Sequence, residues 1–148
     1  MFGQITITFT SDRKKSGTLV LRDPKGVTLF SCRCLGRSVG HKTNATRDPL
    51  KYRGDTPVGR YALTSVSHLP FSKIGFGSVC VTLDPDNFYD SQARRAELGG
   101  RNGLAIHGGR GDAILKSTHG CVRLLDRDMA DLVRIAGKLR FTVLIEQN

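Results

Sequence analysis

No apolar run in this sequence approaches the roughly 20 residues that a helix needs to cross a bilayer, which excludes a helical membrane span. The amino terminus, MFGQITITFT, has neither the basic start nor the continuous apolar stretch of a secretory signal, and its polar–apolar alternation predicts a strand instead. Acidic residues are few, 13 against 23 lysines and arginines, and the net charge of +10 favours an anionic partner: a cell-wall polymer, a nucleic acid or an anionic membrane surface. The bases are dispersed (Arg13, Lys14, Lys15, Arg37, Lys42, Arg94, Arg95, Arg134, Lys138, Arg140), with no long basic block and no nucleic-acid motif, so nucleic acid is not expected as the main partner. Internal repeats and low-complexity tracts are also missing. The 17 glycines and 5 prolines are scattered among apolar segments, which predicts one globular domain over residues 1–148. Without an export signal, the expectation is a protein that works in the cytoplasm, leaves by a route needing no cleavable signal, or has been trimmed. Its four cysteines are then expected to stay reduced.

What is present reads mainly as strands. Ile5, Ile7 and Phe9 alternate, residues 18–21 and 27–30 follow, and Asp23-Pro24-Lys25-Gly26 between them suits a tight turn. Residues 36–54 are polar and aperiodic and predict an exposed loop. Further strands are expected over 60–64, 78–83, 104–106 and 140–145, with a short helix over 91–98 stopped by Gly99-Gly100. The clearest helix spans 126–136: Asp126 suits the N-cap, Met129, Leu132, Val133 and Ala136 form one apolar face, and Gly137 supplies the stop. Cys32, Cys34 and Cys80 sit in apolar strand-like runs and read as core thiols. His41 and His68 stand alone in expected loops and read as solvated.

The chemistry concentrates in Ser117-Thr118-His119-Gly120-Cys121-Val122-Arg123, with Ile106-His107-Gly108-Gly109 upstream. A thiol of ordinary pKa is mostly protonated at neutral pH, so an attacking cysteine needs a nearby imidazole or cationic surroundings. Cys121 has two candidate imidazoles, His107 and His119. Gly120 lets the backbone approach a substrate, and the amides of Gly120 and Cys121 are candidate donors to an oxyanion. The rival chemistry is a zinc site using His107, His119 and Cys121 with His68, Cys80 or Asp112. The sequence has neither a Cys-x-x-Cys pair nor His-Glu-x-x-His to support it.

These blocks, together with Thr56-Pro57-Val58-Gly59-Arg60-Tyr61, resemble the signature of the L,D-transpeptidase family of YkuD type, over roughly residues 19–143. The segment between His107 and Thr118 is shorter than is usual in that family. The resemblance implies a mainly β, sandwich-like fold with one principal α-helix near the carboxyl terminus. It further implies a bacterial enzyme in which Cys121 is the nucleophile, His107 the base oriented by the carbonyl of Gly108, and His119 and Gly120 supports of the site. Arg123, Thr118, Ser117 and Tyr61 would contact substrate, and no metal or cofactor is required. The implied substrate is a peptidoglycan tetrapeptide stem, cleaved at its L,D bond through a thioester. Transfer to an amine would be transpeptidation or D-amino acid exchange, and transfer to water would be L,D-carboxypeptidase action. A cytoplasmic carboxypeptidase acting on muropeptides, a signal-less antibacterial effector with the same chemistry, and a non-enzymatic wall-binding or nucleic-acid-binding module remain as alternatives.

Overall fold

The alternation at the amino terminus becomes strand β1 (Gly3–Phe9), with Ile5, Ile7 and Phe9 turned inward and half-buried residues between them. In the computed structural model, which describes residues 1–148, eight further strands and two helices follow. Strands β2 (Gly17–Arg22) and β3 (Thr28–Cys34) extend β1 as an antiparallel meander. At the turn between them the carboxylate of Asp23 accepts the backbone N–H groups of Lys25 and Val27. After β4 (Gly59–Thr64), a second sheet forms from β5 (Val66–Lys73), β6 (Gly77–Thr82), β7 (Ala105–His107) and β8 (Val122–Arg123), in the order β5-β6-β7-β8. Helix α1 (Gln92–Leu98) precedes β7, and helix α2 (Asp126–Ala136) follows β8 directly. The last strand, β9 (Phe141–Gln147), lies parallel to β1 and antiparallel to β4, completing the first sheet as β3-β2-β1-β9-β4.

One core of twenty buried residues joins both sheets and α2. Helix α2 contributes Met129, Leu132 and Ala136, whose larger side chains are each worth about 1.5–3 kcal/mol when fully buried. Its length is too short for a membrane crossing, and no other helix is long and apolar enough for one.

Four local expectations need correction. Strand β5 was not apparent because it is an edge strand with mostly exposed residues, an irregular register between His68 and Lys73, and Pro70 within it, so it lacks the alternation of a half-buried strand. His68 therefore lies on a strand, although it is solvent-exposed as expected. Residues 36–54 contain no strand but are not simply exposed. Buried Asn44 donates to the carbonyls of Asp48 and Tyr52 and accepts the Asp48 N–H, so one side chain folds the loop on itself. Leu125, not Asp126, occupies the N-cap of α2 and offers no side-chain cap. The Asp126 carboxylate instead accepts the backbone N–H groups of Gly109 and Gly111, tying the start of α2 to the turn after His107.

Candidate active site

Three strands present the central row. Cys80 on β6 pairs with His107 on β7, and His107 pairs with Arg123 on β8, so these side chains share one face of the second sheet. Cys121 lies two residues before Arg123. His107, Cys121, Thr118, Ser117, His119 and Arg123 all line one cleft of about 470 Å³.

His107 is 3% exposed and stacked on Phe76, with ring centroids 4.2 Å apart. Its Nδ1 lies 2.8 Å from the carbonyl oxygen of Gly108. A carbonyl only accepts, so Nδ1 carries the proton and Nε2 keeps its lone pair. Burial pushes the imidazole down from 6.5 to about 4; the Gly108 carbonyl opposes that shift and the Arg123 charge adds to it. The ring is therefore neutral at pH 7.

The Cys121 thiol donates to the carbonyl of Gly103 at 3.7 Å. Burial pushes its pKa up, while the Ala105 N–H and the charges of Arg101 and Arg123 pull the other way. The resting pair is thus a neutral thiol and a neutral imidazole, rather than a preformed ion pair. The other thiols are also held protonated: burial pushes Cys32 up to about 12 and raises Cys34 and Cys80. Cys34 and Cys80 are buried as expected, whereas Cys32 is only half-buried, and all four cysteines are free.

A network of backbone clamps shapes the turn before the sulfur. Gly120 has φ +124, and a Cβ there would lie 2.6 Å from the carbonyl oxygen of Gly54 and collide with Arg101. The Thr118 hydroxyl donates to the Cys121 carbonyl at 2.8 Å and accepts the Gly120 N–H at 2.9 Å. Buried Thr56 donates to the Gly120 carbonyl at 2.6 Å.

These bonds revise several expected roles. The Gly120 amide is already occupied and is not free for an oxyanion, while the Cys121 N–H has no partner within the protein. Tyr61, expected to touch substrate, is 1% exposed, donates its hydroxyl to Pro57 and lies outside the cleft. The fork of Arg123 is largely spent on carbonyls of Lys116, Ser117 and Gly75, which makes the residue a clamp as well as a charge. Ser117 and buried Thr118 do reach the cleft wall, and His119 is exposed at its mouth. The pKa of His119 is lowered by partial burial and by Arg53, Arg123 and His41.

No three His, Cys, Asp or Glu side chains, the set considered for zinc included, gather as metal ligands do. His68 is on the edge strand β5, and Asp112 accepts the backbone N–H of Arg127.

Arg101 is a further residue of the site, with no motif around it in the sequence. It donates to the carbonyls of Pro49, Gly54 and Asp55, bracing the backbone behind Gly120. A lone arginine after Gly-Gly looks like a solvated surface residue, and its acceptors lie 46 to 52 positions away, so no local pattern marks it.

The profile of the YkuD family, described as the L,D-transpeptidase catalytic domain, matches residues 12–143. No curated protein sequence is significantly similar. Among solved structures, the helical cell shape determining protein Pgp2 from Campylobacter jejuni aligns with TM-score 0.62 at 17% identity, over 99% of this chain and 49% of that one. Its K307A mutant aligns with TM-score 0.60 at 15% identity, over 99% and 48%. Bd1075 from Bdellovibrio bacteriovorus aligns with TM-score 0.57 at 17% identity, over 97% and 48%. The chain thus spans about half the length of each of these proteins, and at such identities the likeness is one of fold.

Proposed function

This chain belongs to the YkuD family of L,D-transpeptidase catalytic domains, and from that premise we propose that it cleaves the L,D bond of peptidoglycan tetrapeptide stems with Cys121 as nucleophile. The observation that carries the reading is the Nδ1–H tautomer of His107, held by the Gly108 carbonyl, with Nε2 left basic in the cleft that Cys121 also lines. A base that is neutral at pH 7 suits a thiol that is still protonated: the proton must move as the substrate arrives.

In the proposed cycle the Cys121 proton passes to Nε2 and the sulfur bonds to the scissile carbonyl carbon. The oxyanion meets the free Cys121 N–H, a donor with no competing partner in the protein. As the carbon–nitrogen bond breaks, the imidazolium returns its proton to the departing amine, leaving a thioester and a released D-alanine. An amine or a water then attacks the thioester. His107 removes the attacking group's proton and the sulfur recovers it on leaving.

The openness of the cleft to solvent favours neither acceptor, so one experiment both tests the chemistry and separates the outcomes. Disaccharide-tetrapeptide is incubated with the wild type and with Cys121→Ala, with and without a D-amino acid, and products are weighed by mass spectrometry. Loss of alanine alone indicates hydrolysis, a mass exchange or a dimer indicates transfer, and an unchanged tetrapeptide with the wild type refutes the proposal. Intact-protein mass after brief incubation should show an acyl adduct on the wild type alone.

A further inference from the structure

The cleft that holds Cys121 and His107 has a cationic side on which no carboxylate forms an ion pair. Lys73, Arg110 and Arg123 line it, and no aspartate or glutamate does. The three ion pairs of the protein all lie elsewhere. Arg110 and Arg123 converge on one residue: Arg123 donates to the Gly75 carbonyl at 2.6 Å, and a Cβ on Gly75 would lie 3.2 Å from the Arg110 guanidinium. Arg123 is 5% exposed, and its Nε–H is buried without a partner. The Arg110 and Arg123 guanidinium groups repel each other; the Asp126 carboxylate attracts Arg123 but is hydrogen-bonded to the amides of Gly109 and Gly111, and an anion between the two guanidinium groups relieves the repulsion.

The backbone holds Arg110 in this position. Gly109 and Gly111, on either side of it, both donate to the Asp126 carboxylate. Gly109 has φ +108 and packs so tightly on Gly75 and Phe76 that a Cβ would overlap their backbone. Arg110 is therefore presented over Gly75 by a doubly anchored turn. Its charge acts on Arg123, and it lines the same cleft as the Cys121 sulfur.

Resting on the thiol-enzyme reading and extending it, we infer that Arg110, assisted by Lys73, is a specificity-determining residue that binds a carboxylate of the acyl-donor peptide beside Arg123. The planar fork of Arg110, free of internal ion pairs, suits two-point recognition of such a group. Two carboxylates on the donor have the required chemistry: the terminal one of the departing residue, and a side-chain one on the diamino acid.

The test uses Cys121 as a reporter and does not depend on turnover. Alkylation of Cys121, located by peptide mass, is followed with anionic iodoacetate and neutral iodoacetamide in the wild type and Arg110→Gln. Both reagents need the same thiolate, so their rate ratio cancels any change in its pKa. The ratio should fall by about threefold in the variant, the effect of one unit charge at roughly 7 Å in water. Protection against iodoacetamide is then measured with tetrapeptide, with the terminally amidated peptide and with the side-chain-amidated peptide. Amidating the recognised carboxylate should weaken protection of the wild type by about tenfold and leave Arg110→Gln unaffected, and Arg110→Lys should be intermediate. Which amidation has this effect identifies the carboxylate. An unchanged reagent ratio, or equal protection of wild type and Arg110→Gln by all three peptides, overturns the inference. Tetrapeptide turnover, followed separately, bears only on the enzyme reading.

Discussion

Replacing His107 by glutamine should make the protein less sensitive to acid, even though it removes the proposed base. The imidazole is 3% exposed and its pKa lies at about 4, against 6.5 in the unfolded chain. Between those values the unfolded state binds the extra proton and the folded state does not. The stability this group contributes is thus fully present above 6.5 and is lost as pH falls towards 4. At pH 7 about a quarter of unfolded chains and almost no folded ones carry the proton, which costs only about 0.2 kcal/mol of stability. At pH 4.5 nearly all unfolded chains and about a quarter of folded ones carry the proton, which costs about 2.5 kcal/mol of stability. Urea denaturation at both pH values, followed by far-ultraviolet circular dichroism, gives the unfolding free energy of each protein. Wild type should lose roughly 2–2.5 kcal/mol more than His107→Gln on going from pH 7 to 4.5, because every other titrating group is common to both. Parallel losses would show that the ring is not held neutral by burial, and the proposed role of Nε2 as a ready base would lose its footing.

Other perturbations have equally definite outcomes. Iodoacetamide should modify Cys121 slowly at pH 7, with a rate still climbing beyond pH 9, since burial raises this thiol's pKa; a plateau below pH 8 would mean that a thiolate is already formed. Gly120→Ala should lower the unfolding free energy by about 2 kcal/mol or more, because its backbone is at φ +124 and the added carbon meets the Gly54 carbonyl. A melting temperature within a degree of wild type would contradict that crowding. Thr56→Val deletes the hydroxyl bound to the Gly120 carbonyl and should cost about 1–3 kcal/mol in urea melts. It should also change the alkylation rate of Cys121 next door, whereas an unaltered rate would mean that the turn does not rely on this bond.

Sequence reading was most reliable where a residue's environment repeats with the backbone. Ile5, Ile7 and Phe9 face inward because successive strand residues alternate, and Met129, Leu132 and Ala136 share a face because helical residues three or four apart do. Edge strand β5 was missed for the same reason: with little of it buried, no periodicity was imposed on it. Asp126 shows the limit of a local rule. Its position suits a helix cap, yet its carboxylate turns to two amides 15 and 17 residues earlier in the chain.

By itself the sequence determined the chemical types at the site: a thiol, an imidazole followed by glycine, and a glycine immediately before the thiol. Only the tertiary structure decided their states and their free valences. Burial makes His107 neutral and Cys121 a thiol, the Gly108 carbonyl selects the tautomer, Thr118 takes the Gly120 amide, and carbonyls from distant loops occupy Arg101 and Arg123. The reason is physical: solvent exclusion and hydrogen-bond partnership depend on groups brought together from far apart along the chain, and motif spacing carries no record of them.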